Sequence, residues 1–175
     1  MKKKVLIICL ILLCLVIVFT TALFFIPITK NIDTQLTGKI VSFYDSFEDS
    51  NIDIILSGKF ESYLLGQSSF SGNIQINNAD VSLSSGGYVD INFTNDIGHL
   101  EYLTFSDGEV MGKYLGYICT KDFESFLILL YDEISIYESK YSAFICAPAT
   151  SMEEAITIAN KLSQDNWMNN IEWEK

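Results

Sequence analysis

Arginine is absent from this 175-residue chain, histidine occurs once and proline twice. With 22 acidic residues against 11 lysines the formal net charge is −11 at neutral pH. An acidic, arginine-free surface repels phosphate backbones and anionic headgroups, so no nucleic-acid partner is expected and adhesion to anionic lipid is disfavoured. The single histidine, His99, excludes multi-histidine metal sites and any relay that needs two imidazoles. It follows Asn95-Asp96-Ile97-Gly98, a turn signal, and is expected as an exposed turn residue, since no Gly-x-Ser-x-Gly nucleophile elbow accompanies it. No internal repeat and no low-complexity tract is visible.

What is present first is a long apolar run. Between Val5 and Ile26 there is no charge and only Thr20 and Thr21 are polar, before Pro27 and Lys30 close the stretch. About 22 residues rising ~1.5 Å each reach about 33 Å, enough for a hydrocarbon core of ~30 Å. Lys2, Lys3 and Lys4 precede it, and the positive-inside bias keeps such a cluster in the cytoplasm. The expected organisation is a cytoplasmic stub at 1–4, a transmembrane anchor at 5–27, a short stalk at 28–37 and an extracytoplasmic domain at 38–175. The lipid bilayer is thus the first expected partner, at a cell membrane crossed once with the N-terminus inside. A cleaved signal peptide is the competing reading, but its apolar region is shorter and ends in small residues, where this run continues through Leu23-Phe24-Phe25. Cys9 and Cys14 read as small apolar residues of the helix. Beyond the anchor, eight lysines face all 22 acidic residues, a net of −14, while the stub carries +3.

The exported part has the size of one domain and enough apolar and aromatic residues to bury a core. Turn signals recur at Asp49-Ser50-Asn51, Gly66-Gln67-Ser68, Asn77-Asn78, Gly86-Gly87, Asn95-Asp96 and Asp107-Gly108. Between them the period is two: Ile74 and Ile76 alternate with Asn73, Gln75 and Asn77; Val81 and Leu83 with Asp80, Ser82 and Ser84; Val89, Ile91 and Phe93 with Asp90, Asn92 and Thr94. Each segment has one apolar and one wet face. Tyr114 to Cys119, Phe126 to Tyr131 and Tyr141 to Cys146 are more continuously apolar and suggest strands near the middle of the fold, although Phe126 to Tyr131 also suits a helix. Pro148 ends the last of these. Ser151 and Glu154 then have capping-box spacing, and Met152, Ala155, Ala159 and Leu162 follow a helical period. The expected fold is α+β: an N-terminal transmembrane helix, then an antiparallel meander of about seven to nine strands with one C-terminal helix packed on it. The tail from Asp165, with Trp167 and Trp173, is expected as a loose polar end or as a last strand or turn.

No residue set for catalysis, a cofactor or a metal emerges. Asp45, Glu48, Asp49, Asn51 and Asp53 form the densest acidic cluster, but counted from Asp49 an EF-hand would need glycine where Ile54 stands and glutamate where Phe60 stands. Glu153 and Glu154 resemble a glycosidase pair only in being adjacent, and carboxylates in a first helical turn already favour the helix dipole. Gly86-Gly87 lies between two strand patterns and reads as a hairpin turn, not a phosphate cradle. Cys119 and Cys146 are the exported thiols; an oxidising exterior permits a disulfide between them, and two buried free thiols fit equally. Asn92-Phe93-Thr94 matches a glycosylation acceptor.

The stretch from Lys121-Asp122-Phe123-Glu124-Ser125 to Ile128, with Ala147-Pro148-Ala149 leading into Met152-Glu153-Glu154-Ala155-Ile156 and Asn160-Lys161-Leu162, resembles small uncharacterised membrane-anchored exported proteins of low-GC Gram-positive bacteria. The likeness covers the last third of the chain. It implies an outward-facing tethered domain and brings no activity with it. The leading expectation is therefore a binding or scaffolding module for an envelope protein or polymer. An envelope hydrolase working through two carboxylates about 5 to 9.5 Å apart is the alternative, to be told apart by a cleft rather than an exposed aromatic patch. A pilin-like subunit is a third reading, weakened by the missing glutamate at the start of the apolar helix.

Overall fold

The computed structural model describes residues 2–43, 50–63, 67–77, 87–106, 109–131 and 141–173. The expected strand around Val81 and Leu83, the acidic residues Asp45, Glu48 and Asp49, and Gly86 lie outside them. Helix α1 covers Lys2–Phe25; eight strands follow, β1 (Ile28–Ser42), β2 (Ser50–Ser62), β3 (Ser68–Asn77), β4 (Gly87–Thr94), β5 (Ile97–Ser106), β6 (Glu109–Thr120), β7 (Phe126–Tyr131) and β8 (Tyr141–Ala147). Helix α2 (Met152–Ser163) and a 3-10 turn, Trp167–Asn170, complete the order. Every strand pairs antiparallel with its sequence neighbour, and β1 pairs with β8, so the sheet is a closed up-and-down barrel. The antiparallel meander and the packed C-terminal helix are as expected; closure was not, and it removes both sheet edges.

Alternation explains the barrel. In β4 the odd residues Gly87, Val89, Ile91 and Phe93 are buried and the even residues exposed. Ile52, Ile54 and Leu56 on β2 and Phe70, Ile74 and Ile76 on β3 do the same, and all belong to one inner cluster with Ile118, Ile128 and Ile145. Eight strands leave an interior just wide enough for side chains to fill. Gly58 and Gly72 face each other across β2 and β3. A Cβ on either would meet the opposite backbone and the tip of the Phe70 ring, which lies where those side chains are missing.

Segment 28–37, expected as a stalk, is most of β1, paired with β2 from Ile28↔Ser62 to Ile40↔Ser50. Ile32 and Ile40 point into the core with Leu36 packed against it, while Asn31, Asp33, Gln35 and Thr37 face water. The alternation is there, but it is diluted by Thr34 and Gly38 at inward positions.

The end of the barrel that starts at Ile28 is closed by the β6–β7 connection. Phe123 has φ 63° and is only 2% exposed. Its ring lies 4.6 Å from that of Phe70, 5.5 Å from Phe60 and 5.9 Å from Phe93. The buried Thr120 hydroxyl holds this turn, donating to the Ser125 carbonyl at 2.8 Å and accepting from the Phe123 N–H at 2.9 Å. Lys30 on β1 donates to the Asp122 carbonyl and lies 3.7 Å from Glu124.

α2 begins as its sequence demands. The Ser151 hydroxyl accepts from the Glu154 N–H at 3.2 Å, and the Glu154 carboxylate accepts from the Thr150 N–H and hydroxyl at 2.8 and 2.9 Å. Ala155, Ala159 and Leu162 form its buried stripe, laid on the outside of β8, β1 and β7 with Val41, Leu127, Leu129, Phe144 and Cys146. The tail is not loose: Met168 and Trp173 are buried, and the Trp173 indole N–H donates to the Ser163 hydroxyl at 3.2 Å. β8 ends at Ala147, where the bond to Pro148 is cis.

α1 is 24 residues long, and its described side chains, Ile7 to Thr21, are exposed all round. That stretch alone comes to about 22 Å at ~1.5 Å per residue. Among the described residues no helix is long and apolar enough to cross a membrane.

Two expectations follow. Phe123→Ala removes the plug of the closed end and should cost about 3 to 5 kcal/mol, as buried phenylalanine deletions do; a loss under about 1 kcal/mol in urea unfolding would show that the end is held shut otherwise. The Glu154 carboxyl is held below the ordinary glutamate value of 4.5, first by the Thr150 N–H and then by the Thr150 hydroxyl. A lowered folded-state value means a contribution complete above pH 4.5 that is lost as the pH falls through the folded value. Glu154→Gln should therefore lose less stability than the wild type between pH 6 and pH 3, and equal losses would contradict the capping role.

Candidate binding surface

On the outer wall the sheet is mostly polar over β2 to β4, apart from Ile55 and Tyr88, with pairs such as Ser71 donating to Asp90 at 2.9 Å. The character changes at β6. Tyr114 and Tyr117 are three residues apart, which in a regular strand would place them on opposite faces. A bulge at Leu115 and Gly116, opposite a register shift between Leu100 and Glu101, turns both outward. Gly116 has φ 149°, and a Cβ there would run into the Leu129 carbonyl of β7, so only glycine fits.

The result is a continuous aromatic strip. Tyr114 stands 6.0 Å from Tyr117 and 5.1 Å from Tyr131 of β7, ring centre to ring centre; Tyr131 stands 5.1 Å from Tyr141 of β8. Trp167, carried by the 3-10 turn, packs edge-on to Tyr117 at 5.1 Å and lies over Tyr141 at 6.4 Å. His99 of β5 adjoins Tyr117 at 4.8 Å. Tyr114 and Trp167 are 40% and 45% exposed, the middle rings half-buried. From Thr29 onward, the described large apolar side chains that are exposed are Tyr88, Tyr114 and Trp167, with no aliphatic residue among them.

The strip is electrically quiet. Burial raises the Tyr114, Tyr131 and Tyr141 phenols above the usual tyrosine value, and hydrogen bonds with neighbouring tyrosines add to the rise at Tyr114 and Tyr131. They stay protonated and present neutral hydroxyls. The carboxylate beside them is Glu101, paired with Tyr114 across the β5–β6 ladder.

The other sequence candidates do not converge. His99 is exposed, as expected, but stands within β5; the turn before it is Asn95-Asp96, both at positive φ. Asn51 and Asp53 sit on β2, and Glu154 is occupied by the helix cap. Asn92 is exposed on β4 while Phe93 of the same triplet is buried in the barrel. Among the described residues no group of three or more His, Cys, Asp and Glu could hold a metal ion. The strip itself went unread in the sequence, where Tyr114 to Cys119 looked like a central strand. The signal was Gly116, a glycine inside a strand pattern and hence a bulge.

The bridge allowed between Cys119 and Cys146 is not formed; both thiols are free and buried. Cys119 pairs with Leu127 and Leu127 with Cys146, so one whole strand separates them. Two strand spacings of ~4.8 Å put their Cα atoms about 9.6 Å apart, beyond the ~7 Å that a disulfide tolerates. Both side chains instead pack under α2, where the Cys119 thiol donates to the Leu162 carbonyl at 3.4 Å.

No family model matches the chain, and neither the curated proteins nor the solved structures contain a match to it.

Burial pushes the Cys119 thiol up to about 11 and the Cys146 thiol higher still. Neither should react with an alkylating reagent at pH 8 in the folded protein. Denaturation without reductant should free all four cysteines of the chain, and recovery of only two would restore the disulfide.

Proposed function

We propose that the chain is a single-pass, membrane-anchored binding module that holds an eight-stranded barrel outside the cytoplasmic membrane and offers the tyrosine strip to another component of the envelope. The strip carries this reading: a patch of exposed and half-exposed rings beside the mostly polar wall of β2 to β4 marks a contact surface.

Three features support the anchor. The described large apolar side chains of α1 are 52% to 67% exposed on every side of the helix, and a helix apolar all round belongs in a core or a bilayer. Its two polar residues need no water, because Thr20 donates to the Val16 carbonyl at 2.8 Å and Thr21 to the Ile17 carbonyl at 2.9 Å. Its uncharged part, from Val5 to Phe25, comes to about 32 Å at ~1.5 Å per residue. Lys2, Lys3 and Lys4 then set the N-terminus inside.

Extracted from membranes, the protein should show an intact mass that includes the N-terminal lysines, and external protease should remove the barrel from intact spheroplasts. Loss of about the first 22 residues would replace the anchor with a cleaved signal. Envelope components copurified with the wild type should be lost when Tyr114→Ala and Trp167→Ala are combined, and undiminished recovery would remove the strip from the function.

A further inference from the structure

We infer that the strip across β6, β7 and β8 is a stacking surface for a neutral polysaccharide of the envelope; this rests on the strip being the binding face proposed above. A sugar ring offers an apolar C–H face and a rim of hydroxyls. The strip offers aromatic rings, most exposed at Tyr114 and Trp167, with the phenols of Tyr117, Tyr131 and Tyr141 packed beside them.

Charge decides the class of ligand. None of the described side chains of the strip is a lysine, the chain has no arginine, and the part beyond the anchor has eight lysines against 22 acidic residues. A phosphate-bearing polymer or an anionic headgroup would meet Glu101 and that acidic field, whereas a neutral glycan meets no opposing charge. The rings form one compact patch over three strands and the Trp167 turn, with Tyr117 within 6.0 Å of Tyr114, 5.9 Å of Tyr131 and 5.1 Å of Trp167. Protein interface cores combine Tyr and Trp with Phe, Met and Arg, and none of those three is exposed among the described side chains beyond Thr29. No aliphatic side chain is exposed among the described ones there either.

The test uses the full-length protein in a detergent without a sugar headgroup, incubated with insoluble chitin, cellulose and a crosslinked α-glucan. Wild-type protein should be retained on at least one matrix and released by soluble fragments of the same polymer. Tyr114→Ala and Trp167→Ala should each weaken retention about five- to tenfold, as loss of one ring contact does. Tyr88→Ala, outside the strip on β4, should hold within about twofold of the wild type. Thermal unfolding of each variant guards against misfolding. Retention on none of the three matrices, or retention unchanged in both alanine variants, overturns the glycan assignment. If the alanine variants then still lose a copurifying envelope protein, the binding-face reading stands and only the ligand class falls; if they lose nothing, both fall.

Discussion

Closure of the sheet between β1 and β8 rests on four residue pairs, Lys39 to Ser42 against Cys146 to Ala143, with two further backbone bonds at its ends, Phe43 N–H to the Ser142 carbonyl and Ala149 N–H to that of Thr37. This short seam turns two edges into none, and the apolar interior has no lining without it. Its outer side is covered by α2. Ala155 and Ala159 are small enough to bring the helix close over Val41, Phe144 and Cys146, and Trp173 folds back onto Phe43 and Phe144 at 6.2 and 5.2 Å. The capped helix and the tail after it therefore act as a clasp on the seam.

The same constraint places the strip. The barrel wall curves, so rings on three neighbouring strands converge into one patch only where the ladder keeps them level, as Tyr131 and Tyr141 are across β7 and β8. The bulge at Gly116 then brings Tyr114 and Tyr117 to the same side. Asn166 ties the far end down, capping the 3-10 turn at the Met168 N–H and reaching back to the Leu162 carbonyl at 2.9 Å, which fixes where Trp167 emerges. Burial keeps the phenols neutral, so the acidic domain carries a patch of uncharged rings.

Some of this was legible in the residues. Val89, Ile91 and Phe93 alternate with polar neighbours and do form one buried face; Ser151 and Glu154 announce a helix start and make those bonds. Others were hidden for definite reasons. Thr34 and Gly38 dilute the inward row of β1, so a strand looked like a stalk. Phe126 to Tyr131 is buried on both sides, by the core within and α2 without, which erases the period that separates strand from helix. Cys119 and Cys146 looked equally placed at strand ends, and only the intervening β7 sets them too far apart to bridge.

By itself, then, the sequence determined what depends on neighbours along the chain: an apolar helix with lysines before it, period-two segments separated by turn residues, a capped amphipathic helix, and a charge that repels anions. The tertiary structure decided what depends on residues distant in sequence. Whether the meander closes is a matter of register between β1 and β8, more than a hundred residues apart along the chain. Whether Tyr114, Tyr131, Tyr141 and Trp167 meet is a matter of one bulge and one clasp. Local patterns specify which face a side chain takes; they carry no information on which other side chain will stand beside it.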